Sequence, residues 1–170
     1  MCADPIYRVE SDPDTAPVLA LRLREMDWRR DHETVLSFQR ETYEANFPGF
    51  RTSTRFLDDF AEQLRRSLRS RWERAVVLVD RQERVFGFLW LSLMTTMVEE
   101  WVGYIKNIYV APQLRGQGYA RVLLDEADRW FKAQNVAKAS LDASTCNPRA
   151  ISIYLEAGYE IARYRMEKRY

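Results

Sequence analysis

The chain has 170 residues, enough for one domain that buries about two-thirds of its unfolded surface. Hydrophobic residues make up 46% and charged residues 30%, with a net charge of +1, which is globular composition without the field that a polyanion such as nucleic acid would need. Two cysteines (Cys2 and Cys146) and one histidine (His32) exclude a disulfide framework and make a poor metal site, so no metal is expected.

The start, "MCADPIYRVE", lacks the apolar run of a signal peptide. The longest apolar run, "VFGFLWLSLM", is half of the roughly 20 residues that a membrane helix needs. A cytoplasmic protein with no membrane contact is expected. The loose stretch "ESDPDTAP" suggests an N-terminal arm over residues 1–17, ahead of one domain over 18–170. "VLALRLREM" reads as a first strand. From Glu33 to Phe47 the apolar Leu36, Tyr43 and Phe47 recur at helical spacing, and "RRDHET" before them looks like a helix start. That makes His32 a surface or cap residue and no partner for a triad, so acid–base chemistry falls to Tyr, Glu, Asp, Lys or water. "NFPGFRTST" breaks this helix. Thr54 is placed to cap the next, whose Leu57, Phe60, Leu64 and Leu68 form one apolar stripe.

The period then changes. "AVVLVD" and "VFGFLWLSL" read as a hairpin through the polar turn "RQER", and "WVGYIKNIYV" as the next strand. A glycine-containing loop leads into a helix marked by Leu123, Leu124, Ala127, Trp130 and Phe131, which ends near Asn135. "ASLDAS" is a further strand, "PRAISIYLEAG" a short helix with proline at its start and glycine at its end, and "YEIARYRMEKR" a final strand. The order β-α-α-β-β-β-α-β-α-β predicts an α/β (α+β) domain of three layers around one mixed sheet.

The segment "NIYVAPQLRGQGYARVLL" is over-equipped for a plain turn. Strand, Pro112, loop and helix start leave several N–H groups without intrahelical partners. Glycines at 116 and 118 remove Cβ atoms from a ligand's path and permit positive φ. The helix dipole contributes roughly 0.3–1 kcal/mol for an anion there, and charge-assisted hydrogen bonds roughly 1.5–3 kcal/mol each. A Walker A loop is excluded because Tyr119 and Ala120 follow Gly118. A dinucleotide fingerprint fails at Arg121. The residues alone leave a phosphate site and a simple connection both open.

The stretch "VAPQLRGQGYARVLL" resembles motif A of the GNAT superfamily, the acetyl-coenzyme A-dependent N-acetyltransferases. Arg115, Gly118 and Ala120 match its Q/R-x-x-G-x-G/A pattern, and a frame beginning at Gln113 also fits. "CNPRAISIYLEAGY" resembles motif B, with Asn147, Ala150, Tyr154 and Gly158 on pattern and Ile153 and Tyr159 as substitutions. The match in motifs and element order runs from about Ala20 to the end. It implies a single GNAT-like domain with a mixed, mostly antiparallel central sheet and helices on both faces.

The resemblance further implies acetyl-coenzyme A as co-substrate and an amine acceptor, small molecule or protein. Backbone groups of Ile108, Tyr109 and Val110 would face the pantetheine and thioester, with the oxyanion on an N–H near Val110. The loop Arg115, Gly116, Gln117, Gly118, Tyr119 and Ala120 would wrap the pyrophosphate, and Asn147 would bind the pantetheine arm or cap its helix. Tyr154 matches the family tyrosine that protonates the departing thiolate. Tyr104 stands where relatives carry the base, with Glu100 and Glu99 as alternatives acting through water. Phe47, Phe50 and Arg51 either shape an acceptor pocket or cap the sheet. The segment after Gly158 is too short for a long terminal hairpin, so an open acceptor groove or a homodimer is left open. A non-catalytic acyl-coenzyme A-binding module is the alternative function.

Overall fold

Unbroken apolar runs need cover on both faces, and in this chain they make the centre of a sheet. The computed structural model describes residues 20–47, 49–97, 101–166 and 168; the expected N-terminal arm, Glu99 and Glu100 lie outside them. The strands β1 (Arg22–Glu25), β2 (Glu73–Val79), β3 (Val85–Met94), β4 (Val102–Val110) and β5 (Ala139–Leu141) stand side by side in sequence order. All neighbours are antiparallel except β4 and β5, which are parallel.

Helices α1 (Trp28–Asn46) and α2 (Thr54–Ser67) cover one face. There Val35, Phe60 and Leu64 pack on Val77, Val79, Phe88, Trp90 and Tyr109. Helices α3 (Tyr119–Ala133) and α4 (Pro148–Glu156) follow β4 and β5, and the opposite face buries Leu123, Leu124, Ala127 and Phe131 against Val76, Leu89, Leu91 and Ile105. At roughly 1.5–3 kcal/mol for each fully buried large side chain, these two layers hold the sheet.

Three expectations are corrected. Helix α1 begins at Trp28, just ahead of the start read at "RRDHET", where the Asp27 side chain accepts the Arg30 N–H at 3.1 Å and caps it, but its inward stripe is not Leu36, Tyr43 and Phe47. Its buried residues are Asp31, Val35 and Gln39, four apart, so the inward stripe is largely polar. Helix α2 is capped by Ser53 rather than Thr54, the Ser53 hydroxyl accepting from the Phe56 N–H. Residues 159–166 form no strand, and Ile161, Tyr164 and Met166 are exposed. Their uneven spacing would put apolar side chains on both faces of a strand, with only the three-residue β5 to pair against.

Candidate active site

The end of β4 is where the sheet divides. Its pairing with β5 runs Gly103↔Ala139, Tyr104↔Ser140, Ile105↔Leu141 and stops. The chain beyond β5 turns instead to the end of α1, where Ser144 Oγ donates to the Asn46 carbonyl at 3.1 Å and Asn147 Nδ2 to Asn46 Oδ1 at 3.1 Å. Residues 106–110 of β4 therefore border a gap.

A β-bulge sets what faces that gap. Trp90 pairs with Asn107 and Leu91 with Ile105, so Lys106 is the extra residue. The Gly103 N–H bonds the Lys138 carbonyl on the β5 side, whereas the Ala111 N–H bonds Phe86 on the β3 side at 2.8 Å. Backbone direction alternates along a strand, so the main-chain groups of Ile108 and Val110 point into the gap. The Val110 carbonyl accepts there from Arg115 Nε at 3.0 Å. Tyr109, grouped with them by the resemblance, is corrected on the same ground: its backbone faces β3. Its side chain is buried on the α1 side, stacked on Phe38 and donating to Glu41.

The glycine loop closes one end of the gap. A single 3₁₀ turn, Pro112–Leu114, is followed by Gly116 at φ +82° and Gly118 at φ +83°, with Gly118 as the N-cap of α3. Both lie in the left-handed region, which turns successive N–H groups to one side. Among the described residues, the N–H groups of Gly116, Gly118 and Ala120 have no backbone acceptor. An Arg149 guanidinium nitrogen lies 3.3 Å from where a Cβ on Gly116 would sit. Arg121 donates to the Glu156 carbonyl at 3.3 Å, fastening α4 beside the start of α3. N–H groups, a helix N-terminus and a guanidinium together suit a phosphate group.

The remaining loop side chains do other things. Arg115 pairs with Glu41 at 3.0 Å, Gln117 donates to the Gln113 carbonyl at 2.8 Å, and Tyr119 is buried beside Leu21, Leu78, Leu114 and Val122. Asn147 caps α4, its Oδ1 accepting the Ala150 N–H at 3.1 Å. Tyr154 is half-buried on α4 in an edge contact with Tyr159, whose buried hydroxyl has no partner among the described residues. Burial raises the Tyr154 pKa above that of an ordinary phenol.

Tyr104 projects to the α1 side and donates to Asp142 Oδ2 at 2.9 Å. Burial pushes its hydroxyl up to about 12, and the Asp142 carboxylate adds to the shift. Phe47 and Phe50 join Tyr43 and Phe56 in an aromatic cluster between α1 and α2, while Arg51 donates to the Phe50 carbonyl. Sequence reasoning missed Asp142, Arg149, Glu41 and the Asn107–Gln39 hydrogen bond. The first two sit inside segments already marked as strand end and motif, "LDAS" and "CNPRA". Among the described residues there is no cluster of metal-ligating side chains, and no helix is long and apolar enough to cross a membrane.

The comparisons agree with this architecture. Residues 19–159 match the model of the acetyltransferase (GNAT) family. Spermidine N(1)-acetyltransferase of Vibrio cholerae is 29% identical over 108 residues, 60% of this chain, and the match spans 58% of that relative's length. A mutant of the BH1408 protein of Bacillus halodurans shares the fold at a TM-score of 0.78 and 23% identity, over 87% of this chain and 98% of that one. A predicted acetyltransferase of Clostridium acetobutylicum, solved with acetyl-CoA, does so at 0.73 and 18%, over 88% and 96%. The chain belongs to the GNAT family of acetyltransferases.

Proposed function

We propose that the protein transfers the acetyl group of acetyl-coenzyme A to a primary amine by direct attack in a ternary complex. The observation that carries this reading is the gap itself. The β4–β5 pairing ends at Ile105↔Leu141, the main-chain groups of Ile108 and Val110 turn into the opening, and the left-handed glycines stand at its end. An extended amide-bearing arm can hydrogen-bond along β4 there, while its pyrophosphate meets the N–H groups of Gly116, Gly118 and Ala120 and the Arg149 guanidinium.

The chemistry has three needs. A thioester oxygen gaining negative charge requires a preorganised donor, which an N–H of Ile108 or Val110 supplies. The leaving sulfur requires a proton donor, and Tyr154, kept protonated by burial, is that donor. An alkylammonium, with an ordinary pKa near 10.4, must lose a proton before it attacks. Residues of the α1 face at the fork, Tyr104 foremost, serve that end. Asn147 holds the pantetheine arm from the capping position that orients it, and residues 18–170 make up the catalytic domain.

The test is thiol release from acetyl-coenzyme A over a panel of polyamines (spermidine included), amino sugars and lysine or N-terminal peptides. Amine-dependent release is expected from at least one class. Calorimetric binding of acetyl-coenzyme A with no release from any amine would leave a binding module instead.

A further inference from the structure

Resting on that reading, we propose that Asp142, acting through the hydroxyl of Tyr104, takes the proton that the acceptor ammonium loses. The register Tyr104↔Ser140 places Ser140 on the same face of the sheet as Tyr104, and Asp142, two residues on, follows it. Asp142 thus stands where β5 leaves β4, beside the opening and on the side of α1. Its Oδ2 accepts the Tyr104 hydroxyl at 2.9 Å.

That bond fixes what Tyr104 can do. A phenol has one hydrogen, and here it is committed to Asp142, so the Tyr104 oxygen presents only lone pairs to the gap. It can accept from an ammonium but has nothing to give. With its pKa pushed up to about 12, Tyr104 stays protonated across the neutral range, so it passes a proton on and does not hold a negative charge. In the step, an ammonium N–H bond breaks as its hydrogen moves to the Tyr104 oxygen. The original Tyr104 hydrogen moves to Asp142 Oδ2, leaving a neutral amine, a neutral phenol and a carboxylic acid. Asp142 is exposed and can return the proton to water.

Among the described residues, the neighbouring carboxylates are otherwise engaged. Glu41 serves Arg115 and Tyr109, Glu44 accepts from Thr52, and Glu73 accepts from Trp90 and Lys106. Among the described residues, Asp142 has no cationic partner. The other charged or titratable groups acting on Tyr104 among the described residues are Tyr43 from α1 and Arg165 from the C-terminal segment.

Asp142→Asn, Asp142→Ala and Tyr104→Phe would be compared with the wild type on an amine that it acetylates, alongside calorimetric acetyl-coenzyme A affinity. Asp142→Asn keeps an acceptor for the Tyr104 hydroxyl but no base. It is expected to lower kcat at least tenfold near neutral pH with cofactor affinity unchanged. Formate, a small carboxylate able to reach this exposed position, is expected to restore part of the turnover of Asp142→Ala. An unchanged kcat in Asp142→Asn, a loss confined to KM, or no recovery with formate in a folded Asp142→Ala would overturn the relay. If Asp142→Ala fails to fold, Asp142→Asn decides. A wild type that binds acetyl-coenzyme A and acetylates no amine overturns the underlying reading, and the relay with it. An active wild type with unaffected variants overturns the relay alone.

Discussion

Gly118 separates conformation from space. Its φ is +83°, yet none of the described residues lies within 4 Å of where a Cβ would sit, so a side chain there meets strain but no clash with them. Gly118→Asp should therefore fold, at a cost of about 1–2 kcal/mol for the left-handed backbone. It sets a carboxylate where the proposed pyrophosphate binds, and loss of acetyl-coenzyme A affinity by at least 100-fold is expected. Calorimetry on a protein shown folded by circular dichroism checks it; unchanged affinity would remove the phosphate assignment from this loop. Tyr154 offers the complementary case. Its hydroxyl is a small part of a side chain packed beside Ala157 and Tyr159, so Tyr154→Phe preserves the packing. Turnover on an accepted amine should fall tenfold or more with the cofactor Kd within about twofold. Full activity would assign the thiolate's proton to water.

At the scale of elements, the contact of β4 with α3 is the tightest test. A Cβ on Gly103 would lie 2.5 Å from Phe131 Cδ1, closer than carbon atoms approach, and Phe131 is buried. Gly103→Ala should cost about 1–3 kcal/mol, read as a lowered thermal midpoint, because a close-packed layer has no room to yield. The elements legible in the sequence were those whose burial is apolar: β2, β3, the α2 stripe and α3. The inward stripe of α1 was hidden because it includes Asp31 and Gln39. Asp31 is nearly inaccessible, held by Arg24 at 2.7 and 2.9 Å and by the Asp27 N–H at 2.8 Å. Hydropathy periods cannot register a buried ion pair, since its satisfaction depends on β1, a separate element. The last segment failed for the opposite reason. Its composition is strand-like, but a strand needs a neighbour, and β5 offers only three residues.

For the whole molecule, the sheet is one body through β1 to β4 and is linked to β5 by three residue pairs. The motifs made the two sides of the gap legible, since glycines at 116 and 118 and the Asn147 cap are local requirements of backbone geometry. Asp142 and Arg149 were not legible, because each gains meaning only from a distant partner: Tyr104 across the fork, and Gly116 across the gap. A ligand that lies in this opening would touch β4, the start of α3 and the start of α4 at once, and so bind the folded chain but not the unfolded one. Such binding stabilises by about 2.7 kcal/mol at 100 times its Kd. For a chain of this size that corresponds to a rise in Tm of roughly 5–10 °C. Acetyl-coenzyme A should produce this shift, ATP and NAD at equal concentration should not, and Gly118→Asp should lose it. Differential scanning calorimetry across the three ligands provides the measurement. An equal shift with ATP would mean that the glycine loop binds phosphate without reading the pantetheine arm, and the gap along Ile108 and Val110 would then have no part in recognition.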